Sequence, residues 1–286
     1  TAREVDKLWD IVRALKEKGI AIMIVNHKLD EIYRIADRLT ILRNGTYISS
    51  GDISEYDQAR FTKDMTGRDI VETKYTPEES GEEVLRVEHL SRKGAFEDVS
   101  FTLHKGDVLG ITGLLGSGRG EIGEALFGIA PAESGKIFLN GKEIEIKSVK
   151  DAMTNEIGYV PEDRLTQGLF MERSIQDNVI AASIRKYMKG GKLDEKEMEN
   201  TTNHWIKEIE IKAPSPKPAV RTLSGGNAQK VVIAKWLNTN PKLFILDGPT
   251  VGVDIGAKAE IHEILHGLAK KGVGIIIISD DLPELV

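Results

Sequence analysis

Three segments of this chain combine residue types that could grip a polyphosphate. Gly113-Leu114-Leu115-Gly116-Ser117-Gly118-Arg119-Gly120 follows the apolar run Val108 to Thr112 and precedes helix-forming Glu121 to Phe127. Glycines let backbone N–H groups converge on phosphate oxygens, and a helix N-terminus adds a favourable dipole. Such a loop usually ends in Lys and then Ser or Thr. Arg119 and Gly120 stand in those places here. Arginine keeps the charge but spreads it over a planar fork. Gly120 has no hydroxyl to offer Mg2+. A glycine-rich turn before a helix also occurs as plain structure, so this loop alone decides nothing.

Leu223-Ser224-Gly225-Gly226-Asn227-Ala228-Gln229-Lys230 is more specific. Ser224 is a good N-cap, and Gly225 and Gly226 let an anion approach the backbone. Val231, Ala234 and Leu237 continue the helix. An ordinary capped helix is the plain alternative. The apolar strand Leu243 to Leu246, with Asp247 at its end, stands shortly downstream and disfavours that alternative. Ligands of parallel α/β sheets bind at strand C-termini, where a carboxylate can hold Mg2+, usually through water.

The elements that must position these residues can be read from repetition. Lys18 to Glu31 resembles Lys271 to Glu284 at a constant offset, and Leu8, Ile11, Val12 and Leu15 fall on Ile261, Ile264, Leu265 and Leu268. Spacings of three and four are helical. Each copy therefore predicts an amphipathic helix, a Lys-Gly turn and a strand apolar on both faces, as parallel sheets require. Alternating Val84 to Glu88 and Val99 to Leu103 predict antiparallel strands. Residues 163–210 read as largely helical, and the prolines of Lys212 to Pro218 exclude regular structure. Thr73 to Glu83 is polar, carries Pro77 and Gly81, and reads as a linker. The domain expectation is thus residues 1–72, a linker at 73–83, and residues 84–286.

Composition narrows the class. The 286 residues are 40% hydrophobic, enough for a core. Acidic residues number 45 against 39 basic, a net charge of −6, which argues against a nucleic-acid or anionic-membrane surface. No cysteine is present, so thiol and disulfide chemistry are excluded and a reducing cytoplasm is expected. The remaining histidines (His89, His104, His204, His262 and His266) form no metal-ligand grouping in the sequence. Thr1 opens the chain without an initiator methionine, and Val286 closes it before the strands expected next. A piece of a longer protein is therefore expected.

Taken in order, loop, Leu-Ser-Gly-Gly and Asp-ended strand resemble the nucleotide-binding domain of an ATP-binding cassette (ABC) transporter. Leu223 to Lys230, Val160 to Arg164, Gly168-Leu169 and Gly252 to Lys258 resemble the second half of the tandem cassette proteins that power bacterial monosaccharide importers. The resemblance covers essentially the whole chain: residues 1–72 as the tail of a first cassette, residues 84–286 as most of a second. It implies an α/β, P-loop NTPase-like fold with a mixed core sheet, an antiparallel β subdomain and a helical subdomain. It implies ATP and Mg2+ as ligands, ATPase activity, membrane permease subunits and a second cassette as partners, no nucleic acid, and a peripheral place on the cytoplasmic face of the membrane.

By position, the resemblance assigns Gly113 to Gly120 to the phosphates and Asp247 to Mg2+. Glu162 stands where most cassettes have a metal-sensing Gln. Ser224, Gly225 and Gly226 would close on ATP held by the other cassette, and Asp254 would be an inter-cassette contact. His27 would be the catalytic switch histidine, with Asp280 its repeat mate. The departures are Gly120, Gly248 where the family has a catalytic Glu, and Asp280. They predict a site that binds nucleotide and hydrolyses it poorly. Phe96, in the segment where cassettes stack an aromatic on adenine, reads as core. Arg38 to Ile48, with its Asn44-Gly45 turn, is expected as a hairpin; one hypothesis lets it complete the second cassette's sheet. Two other readings remain: a soluble cassette ATPase acting on DNA or translation, and a non-catalytic nucleotide-binding or docking module.

Overall fold

A computed structural model describes residues 2–26, 29–43, 45–67, 81–280 and 285. In chain order the main elements are α1 (Ala2–Glu17), α2 (Leu29–Tyr33), β1 (Arg38–Arg43), β2 (Thr46–Asp52), α3 (Gln58–Thr66), β3 (Glu83–Arg92), β4 (Phe96–His104), β5 (Val108–Ile111) and α4 (Arg119–Phe127). Next come β6 (Ser134–Leu139), β7 (Lys142–Ile144), α5 (Val149–Thr154), β8 (Ile157–Val160), α6 (Ile175–Ile180), β9 (Met188–Lys189), β10 (Lys192–Leu193) and α7 (Glu195–Glu208). The last are α8 (Gly225–Leu237), β11 (Leu243–Asp247), α9 (Ile255–Lys270) and β12 (Gly274–Ile278). They divide into two compact units: Thr1–Thr73 with Asp254–Ala259, and Lys74–Val253 with Glu260–Val286.

The larger unit is built on two sheets. One is parallel, in the order β5-β12-β11-β8. Leu243 to Leu246 are wholly buried and Ile275 to Ile278 nearly so, because both faces of the sheet are covered and leave no polar side to the strands. The other sheet is antiparallel, in the order β4-β3-β6-β7, as the alternation predicted for its first two strands. Phe96 is buried at the start of β4, a core residue. Residues 163–210 are largely helical, interrupted by the non-helical stretch 169–174 and by the β9–β10 hairpin, which turns through Gly190 and Gly191, both at positive φ. Lys212 to Pro218 carries no regular element. Among the described residues no helix is long and apolar enough to cross a membrane.

In the smaller unit β1 and β2 form an antiparallel hairpin around its own core of Leu39, Ile41, Tyr56 and Phe61. Among the described residues these strands pair only with each other, and the parallel sheet contains neither. Ala21 to Val25 departs from expectation: it forms no strand, and Met23 and Val25 lie over nine-tenths exposed. An apolar run becomes a parallel strand only where neighbours accept its hydrogen bonds, and none of the described strands does so here. Most of the expected linker, residues 73–80, falls outside the described residues.

Candidate functional site

The parallel sheet brings the first and third motifs together. β5 and β11 flank β12, so the loop after Ile111 and the carboxylate of Asp247 emerge at the same end of the sheet. Gly118 caps α4, and Arg119 and Gly120 form its first turn. A Cβ on Gly120 would lie 3.0 Å from Asp247 Oδ2. The missing side chain thus leaves a small cradle facing the carboxylate. Arg119 folds back over the loop: one guanidinium nitrogen donates to the Gly113 carbonyl at 2.7 Å, and the other lies 3.6 Å from the Asp280 carboxylate. Leu114 and Leu115, at the loop's tip, point into solvent.

Asp247 is buried, and its carboxyl is pushed up to about 6. Burial is the largest cause and the neighbouring charge of Glu162 the next; Arg119 and the Tyr159 hydroxyl oppose them. That hydroxyl donates to Asp247 Oδ2 across 3.5 Å, at the limit of a hydrogen bond. Burial, and then the charge of Asp247, raise Tyr159 in turn. Its ring stacks on Phe127 with centroids 5.1 Å apart, which fixes it beside the carboxylate.

Among the described residues no group of three or more His, Cys, Asp or Glu side chains converges to hold a metal alone. Mg2+ does not need one. It is held by one or two carboxylates plus substrate phosphates and keeps its remaining waters. Asp247, over the cradle of Gly120, fits that donor set.

A cavity of about 360 Å³ adjoins this point, lined among others by Tyr159, Glu162, Arg164, Asp247, Val251 and Gly252. Arg164 closes one side, donating to the carbonyls of Val251 at 2.5 Å and Gly252 at 3.1 Å. It opens a π-helical turn, Arg164–Gly168, of the kind that recurs at functional sites. Asp163 caps that turn through Leu165, Thr166 and the Thr166 hydroxyl. Buried Lys235 of α8 holds its far end, donating to the Gly168 carbonyl at 2.6 Å, and burial lowers this ammonium to about 8. Sequence reasoning missed the roles of Arg164 and Lys235; only the run Val160 to Arg164 carried a signal, through resemblance.

The Leu-Ser-Gly-Gly turn gathers with Arg164. Ser224 starts α8, but its hydroxyl accepts from the Asn227 amide at 2.8 Å and caps no helix N–H. A Cβ on Gly225 would come within 3.0 Å of both the Gly252 carbonyl and an Arg164 nitrogen. Asp254, in the smaller unit, is exposed and accepts the Ala257 N–H at 3.0 Å, the role of a helix cap. His27 lies outside the described residues.

Gly248 differs from the other site residues in its backbone. Its φ is +55, where L side chains are strained, and a Cβ there would meet Val251 Cγ2 at 2.8 Å and Glu162 Cγ at 3.3 Å. Glycine at this position is therefore built into the shape of the loop.

A family model described as ABC transporter matches residues 96–251. The ribose import ATP-binding protein RbsA of Bacillus licheniformis is 40% identical over 288 residues, covering 100% of this chain and 58% of its own length. RbsA of Bacillus subtilis is 41% identical, with the same coverage. A putative ribose/galactose/methyl galactoside import ATP-binding protein of Rhizobium etli is 41% identical over 99% of this chain and 54% of its own. The chain thus spans less than three-fifths of these relatives. Among solved structures, a nucleotide-free ATP-binding cassette from an ABC transporter superposes with a TM-score of 0.61 at 25% identity, covering 71% of this chain and 83% of its own. CbiO1 of Clostridium perfringens, part of an ABC transporter complex, gives 0.58 at 29%, covering 70% and 79%.

Proposed function

We propose, from the premise that this chain belongs to the ABC transporter family, that it is part of the ATP-binding subunit of a monosaccharide importer. One observation carries the reading furthest. The glycine-rich loop and Asp247 meet at one end of a parallel sheet, with Gly120 opening a cradle 3.0 Å from the carboxylate. The loop's backbone and Arg119 would hold the phosphates. Asp247 would hold Mg2+; when bound, the ion supplies charge neutralisation for the terminal phosphates. The sugar-import assignment is supported by the names of relatives about 40% identical over the whole chain. The finer domain reading keeps residues 1–72 as the tail of a first cassette and 84–286 as a second. His27 acts as switch histidine, and Ser224 to Gly226 and Asp254 face another cassette. Permease subunits would place the assembly on the cytoplasmic face of the membrane.

The site built on Arg119 and Gly120 binds nucleotide and turns it over slowly. No hydroxyl stands at 120 and no carboxylate at 248, and positioning and charge stabilisation supply nearly all catalysis in phosphoryl transfer. The φ of Gly248 also favours the second reading, a non-catalytic nucleotide-binding module. Calorimetric titration with MgATP and MgADP, followed by phosphate-release assays, tests both. Saturable binding that weakens on chelation of Mg2+ is expected, with slow turnover. Absence of binding to either nucleotide sinks the first reading. Binding with no phosphate release favours the second.

A further inference from the structure

We propose that Glu162 supplies the carboxylate that position 248 lacks, and that the hydrolysis remaining at this site runs through it. This rests on the nucleotide-binding reading above. The two positions occupy neighbouring space. A side chain on Gly248 would start 3.3 Å from Glu162 Cγ, so the Glu162 chain already borders the volume it would enter. Strand register explains this proximity. β8 runs parallel to β11 with Val160 beside Leu246, so Pro161-Glu162 and Asp247-Gly248 leave the sheet together. Glu162 and Asp247 then line the same cavity.

The segment around Glu162 is also held in place. Pro161 before it is buried. Asp163 after it is committed to the cap of the π-helical turn. Arg164 is bonded to Val251 and Gly252, on the loop that follows Gly248. Glu162 itself is exposed, and among the described residues no hydrogen bond or ion pair ties its carboxylate. A fixed backbone carrying an uncommitted carboxylate is what a proton acceptor at a cavity mouth requires. Loss of the acid after Asp247 is thereby offset from the adjacent strand end.

The step balances without a further reactant. The water oxygen attacks the γ-phosphorus, and the bond from that phosphorus to the β–γ bridging oxygen breaks. Its electron pair leaves with ADP, and the water proton passes to the Glu162 carboxylate and on to solvent. The products are ADP, inorganic phosphate and a proton.

Glu162→Gln tests the role, because glutamine keeps the shape and an accepting oxygen but takes no proton. With the whole chain at high concentration, single-turnover phosphate release from MgATP is compared with MgATP affinity measured by calorimetry. The expected result is slow release by the parent chain, a fall of about tenfold or more in Glu162→Gln, the low end of losses on removing a general base, and a Kd changed by less than about twofold. An unchanged rate overturns the inference. So does a loss of affinity matching the loss of rate, which would make Glu162 a binding group. MgATP binding with no release by the parent chain overturns it too, while leaving the nucleotide-binding reading intact. Absence of MgATP binding removes that reading and this inference together.

Discussion

Leu15, Lys16, Lys18 and Gly19 close α1 with a set of backbone hydrogen bonds that recurs 253 residues later. Lys18 and Ile20 donate to the Leu15 carbonyl at 3.1 and 3.2 Å, and Gly19 to Lys16 at 2.9 Å. Lys271 and Val273 donate to Leu268 at 3.0 and 3.2 Å, and Gly272 to Ala269 at 2.7 Å. Beyond the turn the copies part. Gly274 to Ile278 is a strand with partners on both sides. Ala21 to Val25 is no strand. A Lys-Gly helix stop is local chemistry, complete within six residues. A parallel strand is not: its stability comes from neighbours that take its hydrogen bonds and cover both its faces. The helices repeat the contrast, since Ile261 is wholly buried while Leu8 is half exposed.

The largest effect should come from truncating the same position in each copy. Ile277 is 2% exposed, and Ile277→Ala should cost about 2–5 kcal/mol, the usual range for a buried isoleucine. Ile24, its mate, is 42% exposed, and Ile24→Ala should stay within about 0.5 kcal/mol. Urea denaturation of the two variants measures this. Similar losses would mean that residues 20–26 are packed in solution, and the contrast would fail.

The same distinction governs how much was legible in the sequence. The glycine-rich loop, the Asp247 strand and the α9–β12 unit were readable because their signals are local in sequence: glycine spacing, a continuous apolar run, helical periodicity. Ala21 to Val25 carries the same signal and misled, since periodicity reports what a segment could bury and says nothing of whether a partner exists. Likewise, Arg38 to Ile48 was correctly read as a hairpin, because its turn and its alternation are local signals. Within the site, Arg119, Glu162 and Asp247 were picked out by position in a motif. The bonds from Arg164 to Val251 and Gly252 were not, because they join positions 87 and 88 residues apart. Nor was the left-handed turn at Gly248, which makes its glycine a requirement of shape.

A smaller effect sharpens the half of the comparison that is shared. Gly19 and Gly272 both sit at positive φ, +78 and +87, where an L residue costs about 1–2 kcal/mol. Gly19→Ala and Gly272→Ala should therefore lose similar amounts. Gly272→Ala should lose slightly more, since its Cβ would displace the Lys105 side chain, whereas open space surrounds Gly19. Thermal unfolding reports the Gly272 variant, and amide exchange along α1 the Gly19 variant. A loss confined to one copy would show that the turns are not equivalent after all.

The smallest effect concerns the residues that end each copy, His27 and Asp280. The Asp280 side chain is 69% exposed and stands 3.6 Å from Arg119, whose side chain is only 12% exposed and also donates to the Gly113 carbonyl. On the proposed assignment of the loop to phosphate, an aspartate there places negative charge at its mouth and engages Arg119, the cation that would meet the phosphates. Asp280→Asn removes the charge and keeps the size. MgADP affinity should then rise about two- to fivefold, in line with the ~0.2–1 kcal/mol of an exposed ion pair. The gain should shrink in high salt, because exposed charges are screened. Calorimetry at two ionic strengths measures both. A fall in affinity would carry the opposite meaning: Asp280 would be holding Arg119 in a geometry the phosphates need. On the proposed assignment of His27 as a switch, the second copy would then have exchanged a switch for a support, and its divergence from the first would reach past the strand into the proposed binding of nucleotide.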